Sequence, residues 1–174
     1  MKLRGTSQRS DQVPTDTLVL SFFKDERPLK GATGLSDWHL SGRISRLIMQ
    51  HFVDGTFGEP LLMPALRRMP CDKIMVAGLG RRENYTIQAY RTICKKICEA
   101  LAKLNVTDFA LELPGVALSE LDAAEAAEIL GNAIAERFGG DKERLARVEV
   151  TVFAERRHLK IINPILARLE RSLG

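Results

Sequence analysis

Two stretches decide how this chain reads: RPLKGATGLSDWHLSGRISR, Arg27 to Arg46, and MVAGLGRRENYT, Met75 to Thr86. The first is a glycine-broken loop running into an amphipathic helix. Leu40, Ile44, Leu47 and Ile48 recur at spacings of four, three and one, which predicts one apolar helix face from Asp37 to about Phe52. Asp37 is placed to cap it. The second stretch is an apolar strand delivering a Gly78–Leu79–Gly80 turn, followed by two arginines.

Outward from these blocks the pattern alternates between strand and helix. Thr17 to Lys24 is rich in strand formers and reads as a buried strand. Pro60 to Pro64, between two prolines, suits an edge strand. Lys73 to Ala77 and Asp108 to Leu113 are further strands. In Arg147 to Phe153, valines alternate with Glu149 and Thr151, which predicts a half-exposed strand. Thr86 to Leu104 is the clearest helix, with Ile87, Tyr90, Cys94, Ile97, Leu101 and Leu104 on one side. Ser119 to Phe138 is an alanine-rich helix in which Ser119 and Asp122 resemble a capping box. Glu155 to Leu173 carries a helical stripe with Pro164 inside it. Either Asn163 caps a second short helix there, or one helix kinks. Strands alternating with long helices predict an α/β layer fold with helices on both faces of the sheet.

The chain has 174 residues, a usual size for one domain; its 45% apolar and 28% charged content is close to soluble averages, and no apolar run approaches the ~18 residues needed to span a bilayer. Residues 1–16 read as a flexible polar leader without a signal-peptide core, and 17–174 as a single domain. A cytoplasmic location is expected. Cys71, Cys94 and Cys98 lack framework spacing and read as reduced thiols. The net charge of +4 is mildly basic, with arginines in doublets at 67–68, 81–82 and 156–157. If the doublets converge, they form a phosphate-binding surface, and non-specific nucleic-acid binding ranks third among the functions considered.

Motifs for chemistry are sparse. Glycines after a strand let backbone amides approach a phosphate, so Gly78, Gly80 and Arg81 form one candidate ligand site. Glu83 occupies the third-glycine position of the dinucleotide fingerprint, which is therefore broken. Gly31, Thr33 and Gly34 form a second candidate cradle without the Gly-Lys-Ser/Thr ending of a P-loop. His39, His51 and His158 have no metal-ligand spacing, and Glu125 and Glu128 have no histidine partner. No catalytic residue, metal ligand or cofactor is assigned.

Lys30–Gly31 leading to Leu35–x–Asp37–Trp38, then Gly42 to Leu47, Phe57–Gly58–Glu59 and Val76 to Gly80 occur in an order and spacing that resemble the N-terminal domain of the cytosolic leucyl aminopeptidases. The resemblance covers roughly Thr17 to Phe153. It implies a macro-domain-like fold: a three-layer α/β/α sandwich with a mixed sheet. It also implies that the two-metal chemistry of the family lies in another domain, whose Asn-Thr-Asp-Ala-Glu-Gly-Arg signature is absent here; Leu121 to Glu125 echoes it only superficially. The expectation is a free-standing, non-catalytic interaction or regulatory module, with an apolar docking patch at Ile161 to Leu173 for a protein partner or a second copy. The alternative is a macro-type binder of a phosphate-bearing nucleotide such as ADP-ribose. In the family this domain serves assembly and regulation, and in one bacterial branch DNA binding.

Overall fold

The computed structural model describes residues 1–173. Six strands form one sheet: β1 (Lys2–Thr6), β2 (Thr15–Phe22), β3 (Pro60–Pro64), β4 (Cys71–Gly78), β5 (Asp108–Leu111) and β6 (Glu149–Phe153). Their order across the sheet is β1-β6-β5-β2-β4-β3. Every pairing is parallel except β3 with β4. The helices are α1 (Gly31–His39), α2 (Arg43–Met49), α3 (Ile87–Lys103), α4 (Ala123–Phe138), α5 (Lys142–Arg147) and α6 (Arg156–Leu173).

The sheet is covered on both faces, which is why β2 reads as a continuous apolar run rather than an alternating one. Leu18, Leu20 and Phe22 pack into the core under α1 and α2, with Ile44, Ile74 and Val76. Val19 points the other way, into the larger core with Phe109, Leu111 and the inner faces of α3, α4 and α6. Tyr90 of α3 is fully buried there, and its hydroxyl donates to the Ala126 carbonyl of α4 at 3.0 Å. The α/β sandwich with a mixed sheet expected from the sequence is therefore the observed architecture, with β3 as the antiparallel edge strand.

Four expectations need correction. First, the leader is structured: β1 pairs with β6, Leu3 opposite Val150. Lys2 is ion-paired with Glu149, and Arg4 Nε donates to Thr151 Oγ1 at 2.9 Å. A five-residue strand with charged residues is a protected edge and has little sequence signature. Its presence makes β6 an interior strand, so Thr151 is buried rather than half-exposed.

Second, the helix expected over Asp37 to Phe52 is two helices. The amides of Ser41 and Gly42 donate to Trp38 and Asp37 carbonyls, the double bond pattern that closes a helix, and both residues have positive φ, 56° and 74°. Asp37 caps α2 instead: its Oδ1 accepts from the amides of Ile44 at 2.7 Å and Ser45 at 3.1 Å. Residues Gly31 to Gly34 are accordingly the first turn of α1, not a loop.

Third, Ser119 is no cap. α4 starts later, and Asp122 Oδ1 accepts from the Glu125 amide at 2.9 Å. The fourth concerns the final segment, which is one helix through Pro164, one of the two readings the sequence left open. Its apolar stripe is not a free docking patch. Ile162, Leu166 and Leu169 are buried against the sheet and α4. Two glycines allow that approach: a Cβ on Gly131 would lie 2.2 Å from Leu169 Cδ1, and one on Gly5 would lie 2.1 Å from Asn163 Oδ1.

Candidate ligand crevice and its relatives

The chain leaves β2 toward the α1–α2 face and leaves the adjacent β5 toward the α3–α4 face. Where neighbouring parallel strands send their outgoing loops to opposite faces, a crevice opens beyond their carboxyl ends. A cavity of about 320 Å³ occupies that position. Gly31, Ala32 and Leu35 of α1 form one wall, and Glu112, Leu113, Val116 and Ala117 after β5 form the other. Ser7 to Ser10 after β1, and Phe153 to Glu155 with His158 after β6, close the end.

Each wall has a local cause. Glu26 is buried in the β2–α1 connection, and its Oε1 accepts from the Lys30 amide at 2.7 Å, which fixes the entry into α1. Thr33 is fully buried and donates Oγ1 to the Ser21 carbonyl at 2.6 Å, pinning α1 on β2. Gly34 lies so close to the preceding loop that a Cβ would stand 2.4 Å from the Leu29 carbonyl oxygen. On the opposite wall, Gly115 turns at φ +70° among Leu79, Tyr85 and Phe23, and Tyr85 Oη donates to the Pro114 carbonyl at 2.9 Å.

The polar groups of the crevice are unevenly satisfied. Arg9 is committed to Asp11, whose carboxyl it holds below the usual range, and His39 Nε2 adds a contact to the same carboxyl at 3.0 Å. Burial pushes the Glu112 carboxyl up to about 7, with Glu26 adding repulsion. Ser10 is 2% exposed, and its Oγ has no hydrogen-bond partner. A buried hydroxyl without a partner is costly, and this one belongs to a residue lining an open crevice.

The sequence candidates divide here. Gly31 lines the crevice; Thr33 and Gly34 build its wall from behind. Gly78, Gly80 and Arg81 lie elsewhere, beyond β4. The amides of Gly78, Leu79 and Gly80 donate to the carbonyls of Glu59, Phe22 and Gly55 at 2.9, 3.0 and 2.9 Å. A Cβ on Gly78 would stand 2.3 Å from the Thr56 carbonyl oxygen. These glycines seat the strand end against the 55–59 loop, and their amides are spent within the protein. The structure thus does not bring the two glycine candidates into one site. The crevice residues that sequence reasoning missed are Ser10, Glu112, Val116 and Phe153. Their only signal was position after a strand.

The remaining candidates are quickly placed. Cys94 and Cys98 are free and buried in the α3 core, and burial raises the Cys94 thiol to about 12. Among the described residues no group of three or more His, Cys, Asp or Glu side chains is arranged to hold a metal, and no helix is long and apolar enough to cross a membrane. Each arginine doublet has a local partner: Arg82 lies over the Phe23 ring, Arg157 pairs with Glu155, and Arg68 reaches Ser41.

The sheet order, the two helical layers and the crevice define a macrodomain-type fold. Solved macrodomains share it at low identity. The macrodomain of Oceanobacillus iheyensis with ADP superposes with a TM-score of 0.74 at 14% identity, covering 98% of this chain and 92% of that one. The Trypanosoma brucei macrodomain in complex with ADP-ribose gives 0.73 at 11%, covering 94% and 68%. Residues 19–138 match the cytosol aminopeptidase family, N-terminal domain, and the chain belongs to that family. A probable cytosol aminopeptidase of Cyanothece is 27% identical over 66% of this chain and 23% of its own length. One from Alkaliphilus metalliredigens is 26% identical over 78% and 26%. The chain spans about a quarter of the length of these relatives.

Proposed function

We propose that this protein is a non-catalytic binding module that holds a phosphate-bearing nucleotide, of the ADP-ribose class, in the crevice between α1 and the β5–α4 connection. The observation carrying this reading is the unpartnered Ser10 hydroxyl, buried at an open crevice on the switch point of the sheet. Apolar Ala32, Leu35, Leu113, Val116 and Phe153 suit a base or ribose face, His158 supplies a polar contact, and rotation of the buried Ser10 hydroxyl into the crevice would add another. Macrodomains solved with ADP and ADP-ribose lend support through the shared fold. The cytosolic enzymes to which the chain is related support a cytosolic setting. The domain boundary is proposed to include β1, since without it the edge of β6 and one end of the crevice would open.

Titration calorimetry and thermal shift with ADP-ribose, ADP and AMP test the proposal. Ligand at 100 times its dissociation constant should stabilise the protein by about 2.7 kcal/mol. Ala117→Trp, at an exposed position on the crevice wall, should abolish the shift while leaving the unliganded melting unchanged. Absence of a shift across the panel at millimolar ligand refutes the reading.

A second reading, a protein-interaction module, has its own observation. Trp38 of α1, Met49 of α2 and Phe52 just after it are 74%, 69% and 71% exposed, the most exposed large apolar side chains among the described residues. Sedimentation velocity of the wild type against Trp38→Ser/Phe52→Ser tests it. Association that the double variant removes supports it, and a wild type monomeric at all concentrations removes self-association.

A further inference from the structure

Away from the crevice, the first turn after α1 meets the tip of the β3–β4 hairpin. Arg46 Nη1 donates to the Ser41 carbonyl at 2.8 Å, and an Arg68 guanidinium nitrogen donates to the hydroxyl of the same serine. Arg43 lines the same hollow, with Leu40, Leu47, Gln50 and Leu66. Two guanidinium groups are therefore tethered to one residue and a third flanks them, and the hollow has no carboxylate in its lining. Among the described residues none of these arginines, nor Arg67, lies within ion-pairing distance of an acid. Elsewhere on this molecule Arg9, Arg81, Arg147, Arg157 and Arg168 have an acidic partner while Arg4, Arg27 and Arg144 bond to neutral oxygens, so what marks this hollow is the convergence of two arginines on one serine.

The backbone that assembles the cluster is unusual. The hairpin turn is closed by the Arg68 amide donating to the Ala65 carbonyl at 3.0 Å, and both central residues have positive φ, 56° at Leu66 and 59° at Arg67. Such a turn normally carries Asn-Gly or Gly-Gly, because a Cβ is disfavoured there. Ser41 adds a third side-chain-bearing residue in the left-handed region. Strain of this kind persists where surrounding structure holds it, and it collects at ligand clamps. Here its effect is to bring Arg68 onto Ser41 beside Arg43 and Arg46.

We infer that the Arg43–Arg46–Arg68 hollow binds a phosphate dianion, either free or as the terminal group of a phosphate monoester. Planar guanidinium forks match phosphate oxygens two at a time, and an anion between them cancels the mutual repulsion of the three charges. The hollow measures about 370 Å³, which leaves room for the oxyanion with water around it. Ser41 presets the forks of Arg46 and Arg68, so less side-chain freedom is lost on binding.

The test is titration calorimetry of the full chain at physiological salt with inorganic phosphate and, separately, with glycerol 3-phosphate. Saturable binding in the millimolar range or tighter is expected for at least one. The Arg46→Gln/Arg68→Gln variant should weaken it by about tenfold or more. Both side chains are exposed, and circular dichroism and melting verify that this variant is folded. The Ala117→Trp variant, blocked at the crevice, should bind phosphate as the wild type does. The triple Arg→Lys variant should keep part of the affinity, since charge remains but the forks are lost. Tighter binding of the monoester assigns a phosphorylated ligand, and equal binding assigns the free ion. Absence of saturable binding by either anion, or binding that survives in the glutamine variant and is lost in Ala117→Trp, overturns the inference.

Discussion

The Gly78–Gly80 turn and the crevice beside Gly31 both follow strands of the same sheet, yet they use their backbones in opposite ways. The turn has the motif associated with phosphate, and all three of its amides are consumed by carbonyls of the 55–59 loop and the end of β2. The crevice has no motif, and it keeps a buried hydroxyl unsatisfied and a carboxyl that burial pushes above the ordinary range. A glycine after a strand reports that something approaches the backbone closely. In the turn, that something is the protein itself.

The largest expected effect breaks the comparison at the turn. Gly78→Val puts side-chain atoms against the Thr56 and Gly55 carbonyl groups, which cannot yield without moving the loop. Urea denaturation should show a loss of about 3 kcal/mol or more. If the variant is instead stable but no longer binds nucleotide, the turn is a ligand loop and the assignment of the two regions is reversed.

Next in size is the pH dependence of the crevice. The folded protein holds the Glu112 proton more tightly than the unfolded chain does, so between about pH 4.5 and pH 7 the native state binds more protons. Stability should therefore fall as pH rises through that window and level off above it. The change attributable to this group is on the order of 2–3 kcal/mol. Glu112→Gln should flatten this component in denaturation curves taken across the range. Nucleotide affinity should also be higher at pH 6 than at pH 8 in the wild type, because a charged Glu112 repels phosphate. An identical pH profile for wild type and variant would show that Glu112 is freely solvated.

Gly80→Ala tests the turn more gently. At φ +72° an alanine is strained, and a cost of about 1 kcal/mol is expected with no change in ligand affinity. Ser10→Ala is the complementary probe on the crevice side. It removes a buried hydroxyl that has no partner, so the unliganded protein should change by less than about 1 kcal/mol, in either direction. Nucleotide affinity should nevertheless fall. Unchanged affinity in Ser10→Ala would remove the hydroxyl from the site.

Much of the fold was legible without coordinates. The β2 run, the α3 stripe and the α4 apolar face are long and periodic, and long periodic segments fix element type. The family resemblance through Leu35 to Leu47 and Val76 to Gly80 was also legible and held. The candidate site was legible only at Gly31. Thr33 and Gly34 were read as part of a flexible cradle, whereas they pack α1 on the sheet. The missed elements were β1 and α5, because five residues with one buried leucine and six with only Leu145 buried carry almost no periodic signal.

The sequence by itself determined the alternation of strands and helices, the two-sided burial of the central strands and the family, since each is written in local periodicity or in ordered motifs. Only the tertiary structure decided which loops meet. Whether a glycine amide is free depends on what lies opposite it, and Glu59, Phe22 and Gly55 are distant in sequence from most of the amides they satisfy. The convergence of Arg46 and Arg68 on Ser41 likewise depends on a hairpin tip folding against a helix end. Hydrogen-bond partners and charge neighbours are properties of position in space, and chain order specifies them only through the fold.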